Sequence, residues 1–400
     1  MTNLKKGWEI KKLGEVAKAI YGYTEKASFQ DIGPKFLRIT DIQEEGVNWY
    51  TVPFCKITNT DLEKYKLSNG DIVFARTGAT TGKSYLVNTP PKSVFASYLI
   101  KVHINYKGLS PEYLFLFFQT KTYWDKINAG VTGSAQGGFN ATKLSELDIP
   151  IPPFQEQQHI INILNKAFAD IAKAKANAEL NLKDSKKLFE SYLHGVLLKK
   201  GEGWVERKLS EVCEKITDGT HQTPTYFENG IVFLSSGNVI SGKINWEKIK
   251  YIDTKQHLEM HKRVAPQIND ILLAKNGTTG VAAMVDKDVT FDIYVSLALL
   301  RALDVILPTY LLYFINSTLA KKQFNKRLKG IGVPNLHLEE IREVIIPFPK
   351  SLNEQQTIVR KLDELSKECK KLESIYQQKV MALDELKKSI LQKAFNGQLS

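Results

Sequence analysis

The densest hydrogen-bonding chemistry lies in Ile216-Thr-Asp-Gly-Thr-His-Gln-Thr-Pro224, where Thr220, His221, Gln222 and Thr223 stand together behind an Asp-Gly dipeptide. Asp-Gly is turn chemistry, and such a run suits base edges or phosphate oxygens as readily as it makes a plain polar turn. A second pattern occurs twice. Arg76-Thr77-Gly and Lys275-Asn276-Gly each open a Thr/Gly-rich loop, with Thr80, Thr81 and Lys83 following in one copy and Thr278 and Thr279 in the other. Backbone amides freed by glycine, with Thr hydroxyls, suit phosphate oxygens, and the Arg76 guanidinium suits guanine O6 and N7. The alternative is a hairpin loop with a solvated cation. Arg38, in Phe36-Leu-Arg-Ile-Thr-Asp-Ile, and Gln136, in Gly133-Ser-Ala-Gln-Gly-Gly-Phe-Asn140, complete the candidate nucleic-acid contacts, while Asn140 and Asn335 are expected to be helix N-caps.

Catalytic patterns fail on inspection. Gly78-Ala-Thr-Thr-Gly82-Lys83-Ser84 has its first glycine one residue too close for a phosphate loop, and the other copy, Gly277-Thr-Thr-Gly280-Val-Ala, lacks both Lys and Ser. His257-Leu-Glu-Met-His261 spaces two imidazoles four apart, but its Glu is misplaced for H-E-x-x-H and no third ligand is close. A surface helix pair is expected there, and no metal site. Asn88-Thr-Pro-Pro91 departs from the Asn-Pro-Pro-Tyr with which amino-methyltransferases hold a target amine, and Glu368-Cys-Lys370 lies far from any Pro-Asp of a nuclease centre. No nucleophile, metal site or acid/base pair appears in both copies, so no catalytic residue is assigned.

Composition points the same way. The chain of 400 residues is long enough for two to four domains, and its 43% hydrophobic and 24% charged content is that of an ordinary globular protein. A net charge of +12 is spread along the chain rather than gathered in a tail, which suits a polyanion touched over a wide surface. Three isolated cysteines, Cys55, Cys213 and Cys369, support neither a disulfide framework nor a thiolate zinc site, and a reducing, cytoplasmic setting is expected. The apolar runs are too short to span a membrane, and no apolar segment follows the Lys-bearing N-terminus.

The elements that must position these residues are repeated. Trp8-Glu-Ile-Lys-Lys-Leu-Gly-Glu-Val returns as Trp204-Val-Glu-Arg-Lys-Leu-Ser-Glu-Val, and Phe36-Leu-Arg-Ile-Thr-Asp-Ile as Phe233-Leu-Ser-Ser-Gly-Asn-Val. Gly70-Asp-Ile-Val-Phe-Ala answers Asn269-Asp-Ile-Leu-Leu-Ala, and Ile149-Pro-Ile-Pro answers Ile346-Pro-Phe-Pro. The chain is thus a tandem duplication of a globular domain followed by a helix, divided at 1–150, 151–200, 201–350 and 351–400. Within each globular copy Lys35 to Ile42, Asp71 to Ala75 and Ser84 to Val87 read as strands. Pro111 and Pro308 open helices, each followed by a basic helical stretch, so the modules are α+β.

Both joints lead into long amphipathic helices. Ile160, Leu164, Ala167, Ile171, Ala174 and Ala178 follow the a/d alternation of a two-helix seam, continued by Leu182, Leu188 and Tyr192. Ile358, Leu362, Leu365, Cys369, Leu372 and Tyr376, with Val380, Leu383, Leu386 and Ile390, repeat the register. A homodimeric coiled coil would use such a seam too, but the Ala positions of one helix against Leu365, Leu372 and Tyr376 of the other favour pairing within the chain. Helix one joins one domain to the next as a strut of roughly 69 Å, at about 1.5 Å per residue. Helix two must therefore run back antiparallel, which creates an approximate two-fold axis like that of a DNA duplex.

The Asp218-Gly-Thr-His-x-Thr-Pro run, the Phe-Leu-Arg-Ile-Thr-Asp-Ile segment, the Gly-Asp-Ile strand with its Thr/Gly loop, and the Ile-Pro-x-Pro joints leading to Glu-Gln-Gln helices together resemble the specificity (S) subunit of type I restriction-modification enzymes. The resemblance covers the whole chain. It implies an α+β fold in which two globular α/β target recognition domains are joined by two long antiparallel coiled-coil helices, a pseudo-two-fold tandem repeat. It also implies a non-catalytic subunit that reads a bipartite asymmetric site on double-stranded DNA and docks two methyltransferase (M) subunits, with restriction (R) subunits in the full complex. S-adenosylmethionine, ATP and Mg are then expected on the partners and no cofactor on this chain. The first domain departs from the pattern, having Tyr21-Gly-Tyr-Thr-Glu-Lys where the second has the Asp-Gly-Thr-His run, so the two domains should read different sequences. A coiled-coil adaptor without sequence reading, and a self-sufficient methyltransferase, are the competing classes.

Overall fold

The computed structural model describes residues 5–43, 46–131, 138–199, 201–240, 242–277, 279–328 and 335–399. The chain forms two compact units, one of Met1–Ala178 with Gln378–Ser400 and one of Glu179–Gln377. Each unit therefore holds one globular domain and part of both long helices.

In the first unit a four-stranded antiparallel sheet runs in the order Ala17–Tyr21, Leu99–Ile104, Ile72–Ala75, Ser84–Leu86. The Gly-Asp-Ile strand is central and fully buried, as its unbroken apolar run requires. Glu9–Lys12 pairs antiparallel with Asp148–Ile151, closing the domain at the joint, and Lys35–Leu37 pairs parallel with Ser93–Phe95. The segment expected as one strand from Lys35 to Ile42 is interrupted by a 3-10 turn, Ile39–Asp41. The cause is Asp41, whose carboxylate accepts from the Arg38 backbone N–H at 2.9 Å and from the Arg38 guanidinium at 3.0 and 2.8 Å, offering the backbone an alternative to the ladder.

The second unit repeats the plan: Cys213–Asp218, Leu297–Ala302, Ile271–Ala274 and Ala282–Met284 form the sheet, and Trp204–Lys208 pairs with Ile345–Pro349. Lys250–Ile252 widens the parallel pair Ile231–Leu234 and Phe291–Ile293 to three strands. Pro111–Phe117 and Pro308–Asn316 both begin with Pro at a first-turn position, where its missing N–H has no intrahelical acceptor.

The Glu-Gln-Gln helix starts are explained by one buried amide. Gln157 accepts from the Ser110 N–H and donates to the Gly108 and Pro152 carbonyls; Gln355 accepts from the Leu307 N–H and donates to Val305 and Pro349. Both side chains are fully buried, so each long helix is fastened to its own domain by three hydrogen bonds shielded from water.

The helices extend over Phe154–Leu197 and Leu352–Phe395. In the first unit Lys175 donates to Asp384 at 2.7 Å, Lys387 sits 4.9 Å over the Phe168 ring, and Phe395 packs 4.9 Å from Tyr113 beside the helix start. In the second, Leu193 and Leu197 share a core with Val359 and Leu362. Within each unit the paired segments therefore run antiparallel. Ile160, Leu164 and Ile171 are buried in the first unit and Leu362 in the second, while Ile358, Leu365, Tyr376 and Leu383 are half-buried. Four expected seam residues are not: Leu188 is 49% exposed and Leu372 37%, and Tyr192 and Leu386 are exposed as well. Phe189 and Leu193 face inward in place of their neighbours. A straight helix drifts ~20° per heptad from a 3.5-residue repeat, so the inward stripe moves off the sequence register. The expected facing of Ala167 and Ala174 against Leu365 and Leu372 also fails, since antiparallel pairing puts these residues in different units. Among the described residues no helix is long and apolar enough to cross a membrane.

Candidate nucleic-acid interface

In each unit three chain segments converge at one end of the four-stranded sheet. In the first, the strand Ala17–Tyr21 leads into Gly22, which presses so closely on the neighbouring chain that a Cβ would lie 2.1 Å from the Ala96 carbonyl oxygen. Only glycine permits that approach. Arg76 follows the central strand: its guanidinium lies 5.1 Å over the Tyr21 ring, and its Nε–H donates to the Ser97 carbonyl at 2.9 Å. The Arg76 carbonyl accepts from the Phe139 N–H, Thr77 bridges to Gly138, and the Tyr21 hydroxyl accepts from the Ala141 N–H. The loops flanking the Arg-Thr-Gly turn and Asn140 are thereby drawn together.

The second unit uses the same positions with other chemistry. Gly219 stands where Gly22 does, with a Cβ position 1.9 Å from the Ile293 carbonyl oxygen. Asp218 replaces Tyr21 and Lys275 replaces Arg76. The Asp218 carboxylate is buried and accepts from the Lys275 ammonium at 2.6 Å and the Arg263 guanidinium at 2.6 Å, with His221 Nε2 at 3.3 Å. Burial pushes the Asp218 carboxyl up, but hydrogen bonds from Lys275 and then Arg263 more than offset it and hold it below its ordinary value. Asp218 ends the strand Cys213–Asp218 and is no turn residue, contrary to the Asp-Gly expectation.

The remaining candidates divide by exposure and by partner. Arg38, Thr77 and Thr80 line an open groove of about 690 Å³ in the first unit, with Tyr23, Ser97 and Tyr98 on its wall. Arg38 is gripped by Asp41, so its guanidinium has fewer free donors than a solvated cation would. Lys83 is exposed, but Thr81 is buried and its hydroxyl donates to the Gly78 carbonyl, as that of Thr279 does to Lys275. Both hydroxyls brace their turns. In the second unit His221, Gln222 and Thr223 are exposed, while Thr220 is buried and its hydroxyl accepts from the Gln222 N–H. Lys275 is buried, and Asn276 bridges to Asn335. Asn140 caps its helix by accepting from the Lys143 N–H, but Asn335 does not, because the corresponding helix Leu338–Arg342 starts from His337. Gln136 and Thr278 lie outside the described residues.

Three residues here were not expected from the sequence: Tyr21, Asp218 and Arg263. The first two share a position in the repeat and each faces the cation of the Arg-Thr-Gly or Lys-Asn-Gly turn, a correspondence that aligning the two copies reveals.

Comparison with known proteins agrees with this architecture. The family model for the type I restriction modification DNA specificity domain matches residues 5–182 and again 201–380. The type I restriction enzyme MjaVIII specificity subunit of Methanocaldococcus jannaschii is 24% identical over 98% of this chain and 93% of its own length. Among solved structures, a chain from work on complex assembly and conformational transition of the type I R-M system superposes with a TM-score of 0.75 at 19% identity, covering 99% of this chain and 100% of that one. The HsdS subunit from Thermoanaerobacter tengcongensis gives 0.62 at 20% identity, covering 99% and 98%. Two family matches over most of the length, on a fold shared with such subunits, place this chain in the type I restriction-modification specificity subunit family.

Proposed function

We propose that the chain is the recognition subunit of a type I restriction-modification complex, with domain 1–150 reading one half of a bipartite, asymmetric DNA site and domain 201–350 the other. The long helices set the spacing and dock two methyltransferase subunits, with restriction subunits added for cleavage. On this reading the chain itself performs no chemistry. S-adenosylmethionine, ATP and Mg belong to the partners, and the setting is the cytoplasm, where the DNA is.

The observation that carries the reading is the exchange at one topological position. The same glycine-pinned strand end presents Tyr21 with Arg76 in one unit and Asp218 with Lys275 in the other. In the first, Arg76 is oriented by an aromatic face and one carbonyl, leaving its terminal nitrogens available for a bidentate contact such as guanine O6/N7 offers. In the second, the cation is neutralised by Asp218, and the exposed His221-Gln222-Thr223 run takes the outer position. One scaffold with two reading surfaces is what an asymmetric site requires. Selection from a randomised duplex pool, with the chain alone and with its methyltransferase subunits, is expected to enrich two short unlike sequences a fixed distance apart. An adaptor without sequence reading would enrich none.

A further inference from the structure

The second unit buries a carboxylate where the first buries a valine. Asp292, in the strand Phe291–Ile293, is 1% exposed and lies opposite Phe233, just as Val94, in Ser93–Phe95, lies opposite Phe36. Val94 belongs to an apolar cluster with Phe36, Cys55 and Ala96, and Leu62 packs against it. The helices above these strands correspond as well: Asn59–Tyr65 is capped by Thr58 and Thr254–Met260 by Asp253. Counting from those caps, Leu62 and Lys66 of the first unit become His257 and His261 of the second.

The three replacements meet. His257 Nδ1 lies 2.7 Å from one oxygen of Asp292 and His261 Nδ1 3.0 Å from the other, with the rings 4.6 Å apart. All three ligand atoms fall within 4.8 Å of one another. The expected surface pair is therefore half-buried, with His257 14% exposed, and a third group has arrived from a distant strand. An apolar side chain fills this place without cost in the first unit, whereas a carboxylate here must be compensated. Two imidazole nitrogens, one at each oxygen of a buried carboxylate and carried by two elements of the fold, are the donor set of a borderline divalent cation. His261, 32% exposed, leaves one side open for solvent to complete the shell. Tetrahedral ligands at ~2.0–2.1 Å from an ion stand about 3.3 Å apart, between the 2.7 Å of the shortest contact here and the 4.8 Å within which all the ligand atoms lie, so side-chain adjustment brings them onto one ion.

The same two elements hold the polar loop. Gln256, on the helix, accepts from the Thr225 N–H and donates to its carbonyl. At the end of the strand the Ile293 carbonyl accepts from the Thr220 N–H, and the Tyr294 hydroxyl lies 3.4 Å from that of Thr223. Arg263, beyond the helix, grips Asp218.

We propose that His257, His261 and Asp292 bind one divalent cation of the Zn²⁺ class, and that the ion, by joining the helix to the strand, fixes the loop 218–225 between them. The second clause rests on the reading of that loop as a DNA contact. The test titrates the full chain with Zn²⁺ by calorimetry and with Co²⁺ by visible absorption. One equivalent per chain is expected, lost in His257→Gln/His261→Gln. It is also lost in His257→Leu/His261→Lys/Asp292→Val, which installs the residues of the first unit and keeps a cooperative thermal transition. No stoichiometric uptake, or equal uptake by both variants, overturns the site. Duplex selection with Zn²⁺ and with EDTA then reads the coupling: enrichment of one half-site is expected to fall by about tenfold without the ion while the other is unchanged. Equal enrichment in both conditions overturns the coupling and leaves the cation site standing. If neither condition enriches any sequence, both the coupling and the DNA reading fail, and the titration result is untouched.

Discussion

Asp218 shows at one residue how charge is managed at the candidate interface. It is almost fully buried between Lys275, itself buried, and Arg263. Its carboxyl is held below the ordinary value of 3.8, so the folded state binds this proton more weakly than the unfolded chain does. The associated stability is fully present above the unfolded value and is lost as pH falls through the folded one, which places the loss below about pH 4. Asp218→Asn should abolish that part of the acid loss. Urea midpoints measured from pH 6 to pH 3 should fall more steeply for the natural chain than for the variant, and parallel profiles would contradict this. At neutral pH the variant should be less stable by about 3 kcal/mol, because Lys275 is left buried without its counter-charge. Lys275 and Arg76 were legible from the sequence as paired cations of a repeat. Their partners were not, because Asp218 and Tyr21 reach them only across the sheet, after the chain has passed through intervening strands and loops.

At the scale of elements, the long helices were legible almost to the residue, since an a/d alternation kept up over this length fits nothing shorter. Which residues line the seam was less so. The stripe drifts until Phe189 and Leu193 take the inward places that the heptad pattern assigns to Leu188 and Tyr192. Two substitutions separate the register read from the pattern from the one in the structure. Leu362→Ala removes a fully buried side chain and should cost about 2–5 kcal/mol, whereas Leu188→Ala should stay within about 1 kcal/mol. Chemical denaturation of both variants decides it, and comparable losses would restore the pattern-based seam. The strands were legible where burial is continuous, as at Ile72–Ala75, and misread at 35–42, where one side chain, Asp41, reorganises the backbone around Arg38.

At the scale of the molecule, the duplication could be read directly, because Trp8 and Trp204, the Asp-Ile strands and the Ile-Pro-x-Pro joints recur in order. The composition of each compact unit follows from the antiparallel return that the short joints require of helix two: the first unit takes the start of one long helix and the end of the other, Ile160 and Leu164 sharing a core with Leu391 and Phe395. On the proposed reading, two like scaffolds with unlike strand ends should each read DNA independently. Exchanging residues 1–150 for the corresponding domain of another family member, and mapping methylated adenines in cells that carry the chimaera and its methyltransferase subunits, tests this most directly. The expected result is a new sequence in one half of the site, with the other half and the gap unchanged; a change in both halves, or in neither, would contradict it.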